Sequence, residues 1–342
     1  MAQLDAQLVA LLNTRARAAR RIGELRREHP ASLPIGDHGA IRELVAQSAA
    51  DMPQQPLREI LSAVFAACLA LELPVHVAFA GPAGGPAHAA ARGRFGQTAS
   101  LAGVDTVASA IDEVSRKHAE YAVVPFETSA EGPVQATIAA LVASELRVVE
   151  VLEAPLSLHM CNRSGQVVDV HRVYVTPTDH AACEHFFESL SPRPAIVMAA
   201  TPLSACEQAL AEPDGAAIAS EGLATSTGLL IARHNVQASA GARIRYAVVG
   251  ARPSGRTGNE LTSFVFSVQS APGSLNLVLR VLADREIRLT KIHSHPVEGE
   301  AWTYLFFAET AGHFTDRPLV MAFEEIKRVA RFFKVLGSYP VP

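Results

Sequence analysis

Arg245 raises the first chemical question in this sequence. It lies between Ile244 and Tyr246 in the largely apolar stretch ARIRYAVVG (242–250). A guanidinium is a planar, permanently charged fork that can hold a carboxylate through two parallel hydrogen bonds. The residue is therefore either part of an anion-binding site or a surface arginine at a strand edge. The elements around it must decide between these alternatives.

The chain before Pro74 predicts helices and no strand. Prolines at positions 30 and 34 separate a first helix from two further helical runs, near 38–49 and 55–72. Apolar residues keep helical spacing in the first segment, at Leu4, Leu8, Leu11, Leu12, Ala19, Ile22 and Leu25.

From Pro74 onward, strand patterns alternate with alanine-rich helical runs. The strand candidates are VHVAFAGPAGG, YAVVPFE, VVEVLEAPLSLHMC, HRVYVTP, AIVMAAT, GAAIAS and RYAVVG. This alternation predicts an α/β domain with a largely parallel sheet. In such sheets, ligands bind beyond the carboxyl ends of the strands.

A compact tail follows the linker ARPSGRTGNE (251–260). Its pattern predicts a βαββαβ unit. The predicted segments before the last strand are 262–269, 274–285, 287–294, 301–308 and 317–332. The whole chain is therefore expected to be a multidomain protein with all-α and α/β parts.

The bulk composition excludes several classes of protein. The 342 residues carry a formal net charge of −4, so we expect no nucleic-acid partner and no attraction to a membrane surface. No run of about twenty apolar residues predicts a membrane span. The N-terminal segment lacks a signal-peptide pattern. The cysteines contain no CxxC pair and fit a reducing cytoplasm; they are Cys68, Cys161, Cys183 and Cys206.

Neither a cofactor nor a metal is expected. The sequence contains no Gly-rich phosphate loop. His293 and His295 share one face of a predicted strand, but no third ligand accompanies them.

Four motifs occur in a fixed order along the chain: ACLALELPVHVAFAGPAG (67–84), YAVVPFETSAEGPVQAT (121–137), LTKIHSHP (289–296) and KVLGSYP (334–340). Together they resemble the bifunctional chorismate mutase–prephenate dehydratase family of phenylalanine synthesis. The resemblance implies a cytoplasmic homodimer that acts on prephenate and binds an aromatic amino acid effector. It also implies three domains, namely a helical mutase-like domain (1–73), a two-lobed, periplasmic-binding-protein-like dehydratase domain (74–252) and an ACT-like regulatory domain (260–342).

The resemblance places the substrate in a solvated cleft between the two lobes. Arg245 is expected to hold a carboxylate of prephenate there, which favours the first of the two alternatives for this residue. The other polar residues expected in this cleft are Glu127, Ser129, Thr201 and Ser220.

The motifs depart from the family pattern where the proton chemistry lies. The family's Thr-Arg-Phe, whose threonine is regarded as catalytic, is here Ile244-Arg245-Tyr246, and Glu-Asn-Ser is Glu127-Thr128-Ser129. Loss of hydroxide from prephenate needs a proton donor, and Ile244 has no proton to give. We therefore expect a prephenate decarboxylase that leaves the ring non-aromatic. The alternatives are an ordinary dehydratase, with Tyr246 as a substitute donor, and a catalytically silent regulatory paralogue.

The mutase-like domain keeps only part of its family's pattern. An Arg-Glu pair of the family is here Ala40-Ile41. We therefore expect weak or absent chorismate mutase activity and a dimer-forming role. The residues that match substrate-binding positions are Arg15, Arg26, Asp37 and Glu72.

The ACT-like tail also matches its family in part. The family's Glu-Ser-Arg-Pro is here HSHP (293–296). The residues that match the effector-binding pattern are Gly273, Leu275 and Ser294.

Overall fold

A computed structural model describes residues 1–28, 38–47, 52–72, 75–96, 99–129, 132–237, 241–296 and 304–341. The helices are α1 (Ala2–Glu28), α2 (His38–Gln47), α3 (Gln54–Glu72), α4 (Pro86–Phe95), α5 (Val107–Ser115), α6 (Gln135–Ala143), α7 (Pro177–Ala182), α8 (Glu184–Ser189), α9 (Pro202–Ala211), α10 (Glu221–Thr227), α11 (Ser274–Ala283) and α12 (Arg317–Val329), with a short 3-10 turn at Val167–Asp169. The strands are β1 (His76–Ala80), β2 (Ser100–Val104), β3 (Tyr121–Thr128), β4 (Gly132–Pro133), β5 (Arg147–Pro155), β6 (His159–Asn162), β7 (Arg172–Val175), β8 (Ala195–Met198), β9 (Gly215–Ala219), β10 (Leu230–Arg233), β11 (Arg243–Gly250), β12 (Glu260–Ser267), β13 (Leu289–Pro296), β14 (Tyr304–Ala311) and β15 (Phe332–Pro340).

The first three helices pack together, and α3 also contacts α4. Both α1 and α2 pack against α3, and Ala19 and Ile41 are buried. None of the described helices is long and apolar enough to cross a bilayer. Large apolar side chains of α1 remain exposed, among them Leu4, Leu8, Val9 and Leu11.

The first lobe is built on a mixed sheet with the strand order β2-β1-β3-β11-β5, and β4 pairs with β3. Strands β1, β2 and β3 run parallel, whereas β11 is antiparallel to both β3 and β5. On one face α4 packs through Ala87, Ala91 and Phe95. The other face packs against α5, α6 and the C-terminal unit through a core that includes Ile111 and Leu141.

The second lobe contains a sheet with the order β10-β6-β9-β7-β8. Helix α9 packs closely on it because the facing side chains are small, as at Ala205, Ala209 and Ala217. The chain enters this lobe after β5 and returns at β11. Leu156 N donates to Ala242 O over 2.8 Å, so the two connections between the lobes run side by side.

The C-terminal unit is an antiparallel sheet with the order β13-β14-β12-β15. Phe264 and Phe266 face α11 and α12, whereas Val265 and Phe307 pack into the core of the first lobe. Because the sheet is covered on both faces, β12 is buried along its whole length, including its polar residues Glu260, Thr262, Ser263 and Ser267.

The structure corrects three expectations from the sequence. The run VVEVLEAPLSLHMC is two strands in different lobes, because Pro155 ends β5 and the chain then crosses over. The sheets are mixed rather than largely parallel, since both crossings between the lobes bring in antiparallel strands. Strand β11 lies inside its sheet, so Arg245 is not at a strand edge.

Candidate active site

Three charged side chains lie side by side across the central strands of the first lobe. Directly opposed residues of an antiparallel pair point to the same face of the sheet. Arg245 of β11 is opposed by Glu127 of β3 on one side and by Glu153 of β5 on the other. Its Nη1 lies 3.3 Å from Glu127 Oε2, and its Nε lies 3.4 Å from Glu153 Oε2. These three residues are named the charged row.

The C-terminal unit adds two more charges to the charged row. Lys291 Nζ of β13 lies 2.5 Å from Glu127 Oε1. Glu309 Oε2 of β14 lies 3.9 Å from Arg245 Nη1 and 3.8 Å from Lys291 Nζ. Glu309 is buried and accepts a hydrogen bond of 2.6 Å from the Tyr339 hydroxyl. Burial alone would lower the pKa of Arg245, but the neighbouring carboxylates outweigh it, so the pKa is raised and the guanidinium stays charged.

A pocket of about 280 Å³ opens over the charged row. The Arg245 side chain is 27% exposed, so it belongs to a partly buried ion-pair network rather than to an open solvated cleft. The lining carries three cations and two carboxylates, and the buried carboxylate of Glu309 lies within 4 Å of Arg245 and Lys291, so the charges around the pocket are balanced. The lining residues are Glu127, Thr128, Ser129, Glu153, Arg243, Arg245 and Lys291.

Ile244 points to the opposite face of the sheet. It is opposed by Thr128 of β3 and Ala154 of β5, and these three residues are named the isoleucine row. Ile244 packs against an apolar cluster that contains Phe79 and Tyr246. Tyr246 shares this face, as its spacing predicts, but it is only 2% exposed and burial raises its pKa. The hydroxyl directly across from Ile244 is that of Thr128.

The glycine turn after β1 touches the second lobe. A Cβ on Gly222, in α10, would lie 2.4 Å from Gly84 O, so the close approach of the two backbones requires glycine. Gly84 N donates to His88 Nδ1 over 3.0 Å. Burial lowers the pKa of His88 and favours the neutral ring that accepts this bond. Two residues before Gly222, Ser220 Oγ is buried and has no hydrogen-bond partner among the described residues.

Two of the predicted cleft residues make local structural bonds. Thr201 caps α9, where its side chain accepts from Ser204 N over 3.1 Å and its own N donates to Ser204 Oγ. Ser129 Oγ accepts from Arg243 N over 3.0 Å and so continues the β3–β11 ladder. The structure therefore brings Ser129 to the charged row and places Thr201 in the second lobe.

The residues predicted for the mutase-like site are only partly described. The Arg15 guanidinium lies 4.0 Å from the centre of the Phe65 ring, on α3. Asp37 lies outside the described residues, and so do the side chains of Arg26 in α1 and Glu72 in α3.

The residues predicted for effector binding are spread over two elements. Gly273 precedes α11 with a φ of 81°, Leu275 packs into the core beneath α11, and Ser294 is exposed on β13. His295 Nε2 is buried without a hydrogen-bond partner within the described ranges. Burial, and after it the neighbouring His293, lowers the pKa of His295. Within the same ranges, no group of three metal-binding side chains occurs.

Sequence reasoning missed Glu153, Lys291 and Glu309 of the ion-pair network and Arg243 of the pocket lining. A signal was present for Lys291, which stands two residues before His293 in a motif already singled out and therefore shares its strand face. Glu309 is an acid after a run of apolar strand residues, the same kind of feature that drew attention to Arg245.

Two α/β lobes joined by paired connections define a periplasmic-binding-protein-like domain. The family model of prephenate dehydratase matches residues 77–254. The bifunctional chorismate mutase/prephenate dehydratase of Aquifex aeolicus (strain VF5) is 34% identical over 346 residues, which cover 99% of this chain and 95% of that protein. The prephenate dehydratase of Mycobacteroides abscessus is 31% identical over 69% of this chain and 78% of its own length.

A solved structure agrees with these relatives. The prephenate dehydratase from Arthrobacter aurescens in complex with L-Phe has a TM-score of 0.68 at 27% identity, over 78% of this chain and 90% of that one. The chain therefore belongs to the bifunctional chorismate mutase/prephenate dehydratase family, and the resemblance seen in its motifs is confirmed.

Proposed function

We propose that this protein is a lyase that decarboxylates prephenate without aromatising its ring. The observation that carries the proposal is the isoleucine row. Ile244 stands where the family resemblance implies a catalytic threonine, and its side chain packs into an apolar cluster. Tyr246 lies in the same core and is closed to solvent, so it is not a suitable substitute donor.

The chemistry depends on where the electrons go after carbon dioxide leaves. Prephenate carries a carboxylate and a pyruvyl arm on one ring carbon and a hydroxyl on the opposite carbon. In a dehydratase, the electron pair of the broken C–C bond moves through the ring and expels the hydroxyl, which takes a proton and leaves as water. Phenylpyruvate is then the product.

Without a donor at that oxygen, a proton captured by a ring carbon quenches the same electron pair. The product is then a dihydro-hydroxyphenylpyruvate that keeps its hydroxyl. A positioned general acid changes a rate by about 10²–10⁴, which is enough to decide between the two outcomes.

Substrate binding is assigned to groups that the structure leaves available. Arg245 holds one carboxylate from the charged row, where its guanidinium is partly exposed to the pocket. Glu127 and Ser129 line the same pocket. Ser220, whose buried Oγ lacks a partner in the described part of the chain, supplies a hydrogen bond from the second lobe.

The product of the purified protein with prephenate tests the proposal, since phenylpyruvate and the dihydro product differ in their ultraviolet spectra. Ile244→Thr should divert part of the product to phenylpyruvate. Ile244→Val is the matched control, because it keeps the β-branched shape without the hydroxyl. Rapid formation of phenylpyruvate by the wild type would refute the proposal.

A second candidate is the ordinary dehydratase, and Thr128 favours it. Thr128 is paired with Ile244 on the neighbouring strand β3. Its hydroxyl can therefore replace the proton donor that is missing at position 244. In that case the wild type makes phenylpyruvate, and Thr128→Val lowers its rate by about 10²–10⁴. If no variant turns over prephenate, the silent regulatory paralogue is the better account.

The assembly and regulation follow the family. A cytoplasmic homodimer is proposed, formed through the exposed apolar residues of α1 such as Leu8 and Leu11. Light scattering should give a molecular mass of two chains for the wild type. A double Leu8→Lys, Leu11→Lys variant should give the mass of a single chain. The complex of the Arthrobacter relative with L-Phe supports an aromatic amino acid effector here too, to be tested by titration calorimetry.

A further inference from the structure

We propose that Lys291, on the C-terminal unit, is a positioning residue that keeps Arg245 available for substrate by neutralising Glu127. The inference rests on the proposed binding of a prephenate carboxylate by Arg245. It adds a residue from outside the two lobes to the substrate site.

Glu127 is shared between two cations that come from different parts of the fold. Lys291 Nζ lies 2.5 Å from both carboxylate oxygens of Glu127, whereas Arg245 Nη1 reaches only Oε2, at 3.3 Å. The lysine contact is therefore the closer one. With Lys291 in place, Arg245 makes a long single contact to Glu127 and keeps hydrogen-bonding capacity for a ligand.

Removal of Lys291 should change this balance. The Glu127 side chain is only 12% exposed, so its charge is poorly solvated and needs a partner. Arg245 is the cation that remains beside it, and a guanidinium readily forms a bidentate pair with a carboxylate. Arg245 would then be drawn onto Glu127 and away from the pocket.

Glu309 makes the competition sensitive to the C-terminal unit. Its carboxylate is held by the Tyr339 hydroxyl at 2.6 Å and accepts from Thr290 Oγ1 at 3.4 Å. From this fixed position it lies within 4 Å of both Arg245 and Lys291. A shift of β13 relative to β3 therefore changes the partner of Glu127, which gives the C-terminal unit a direct effect on the substrate site.

The kinetic test compares Lys291→Met with Lys334→Met. Lys334 also joins the C-terminal unit to the first lobe, but through the carbonyls of Val142 and Ser144 and away from the charged row. Lys291→Met should raise KM for prephenate by about 10- to 100-fold, the equivalent of one charge-assisted hydrogen bond, with kcat little changed. Lys334→Met should leave KM within about twofold.

A rescue experiment separates positioning from a direct charge effect of the lysine. Adding Glu127→Gln to Lys291→Met removes the charge that captures Arg245, so KM should return most of the way to the wild-type value. If KM stays high in the double variant, or if Lys291→Met leaves KM unchanged while Arg245→Ala raises it, the inference is overturned and the proposed function stands. If Arg245→Ala does not raise KM, the proposed role of Arg245 in substrate binding fails.

A second measurement needs no substrate. Each of Lys291→Met and Arg245→Ala leaves Glu127 with one cation, whereas the double variant leaves it with neither. The loss of stability to urea in the double variant should therefore exceed the sum of the two single losses. Additive losses would show that the two cations do not share Glu127, and the inference would be wrong even if prephenate is not the substrate.

Discussion

Replacement of Arg245 by alanine should lower the free energy of unfolding by about 2 kcal/mol. Breaking a fully buried ion pair costs about 3–5 kcal/mol, and breaking an exposed one costs about 0.2–1 kcal/mol. The Arg245 side chain is 27% exposed and contacts Glu127 and Glu153 at 3.3 and 3.4 Å, which is between these limits. Each carboxylate keeps another partner, because Lys291 contacts Glu127 and Arg243 contacts Glu153. The cost is therefore about 2 kcal/mol, above the range of an exposed pair and below that of a fully buried one.

Urea unfolding followed by circular dichroism measures this cost, with Arg243→Ala as the matched control. Arg243 is on the same strand and pairs with Glu153, but its side chain is 54% exposed. Solvent screening should therefore keep its loss below about 1 kcal/mol. Equal small losses for the two variants would refute the reasoning. They would mean that the ion pairs of the charged row stabilise the protein no more than an exposed ion pair does.

Three further predictions follow from other parts of the structure. Gly84→Ala should strongly reduce turnover of prephenate, because its Cβ would lie 2.6 Å from Gly222 O; unchanged steady-state kinetics would show that this contact is not needed. Chorismate consumption should be weak or absent, because Ala40 and Ile41 stand where the family has an Arg-Glu pair; a spectrophotometric assay that gives the rate usual for the family would contradict this. The melting temperature should fall as the pH drops below about 6.5. Burial lowers the pKa of three histidines, so the unfolded chain binds more protons there and acid favours unfolding; a flat profile between pH 7 and 5 would count against it. These histidines are His88, His159 and His295.

Much of the fold follows from local patterns in the sequence. Helices α2 and α3 begin and end close to the predicted limits, and the order of elements after Glu260 is as expected. The strands that the sequence did not predict lack a clear local pattern. Strand β2 mixes polar and small residues with apolar ones, and β10 has only three apolar residues, so neither carries the longer apolar run by which a buried strand is recognised. No local sequence pattern indicates that the chain returns to the first lobe at β11.

The candidate site was less predictable than the fold. The sequence indicates that Arg245 is unusual, but its face of the sheet depends on pairing with β3 and β5, which are far apart in the chain. The pairing of β3 with β11 also places Thr128 opposite Ile244, which the sequence of β11 alone does not indicate. Lys291 and Glu309 enter the site only because a separate unit packs on the first lobe, and such packing is tertiary information.

The two rows should be separable by mutation, because adjacent residues of one strand point to opposite faces of the sheet. Under the proposed function, Ile244 and Thr128 act on the departing hydroxyl, whereas Arg245, with Glu127 and Lys291, acts on the carboxylate. We therefore expect Ile244→Thr to shift the ratio of phenylpyruvate to dihydro product by the same factor with and without Lys291→Met. We also expect Lys291→Met to raise KM by the same factor in both backgrounds. Chromatographic product ratios at saturating prephenate measure the first effect independently of the second. A product ratio that moves with Lys291→Met alone would mean that the charged row also acts on the departing hydroxyl, and the division of roles between the two faces would be wrong.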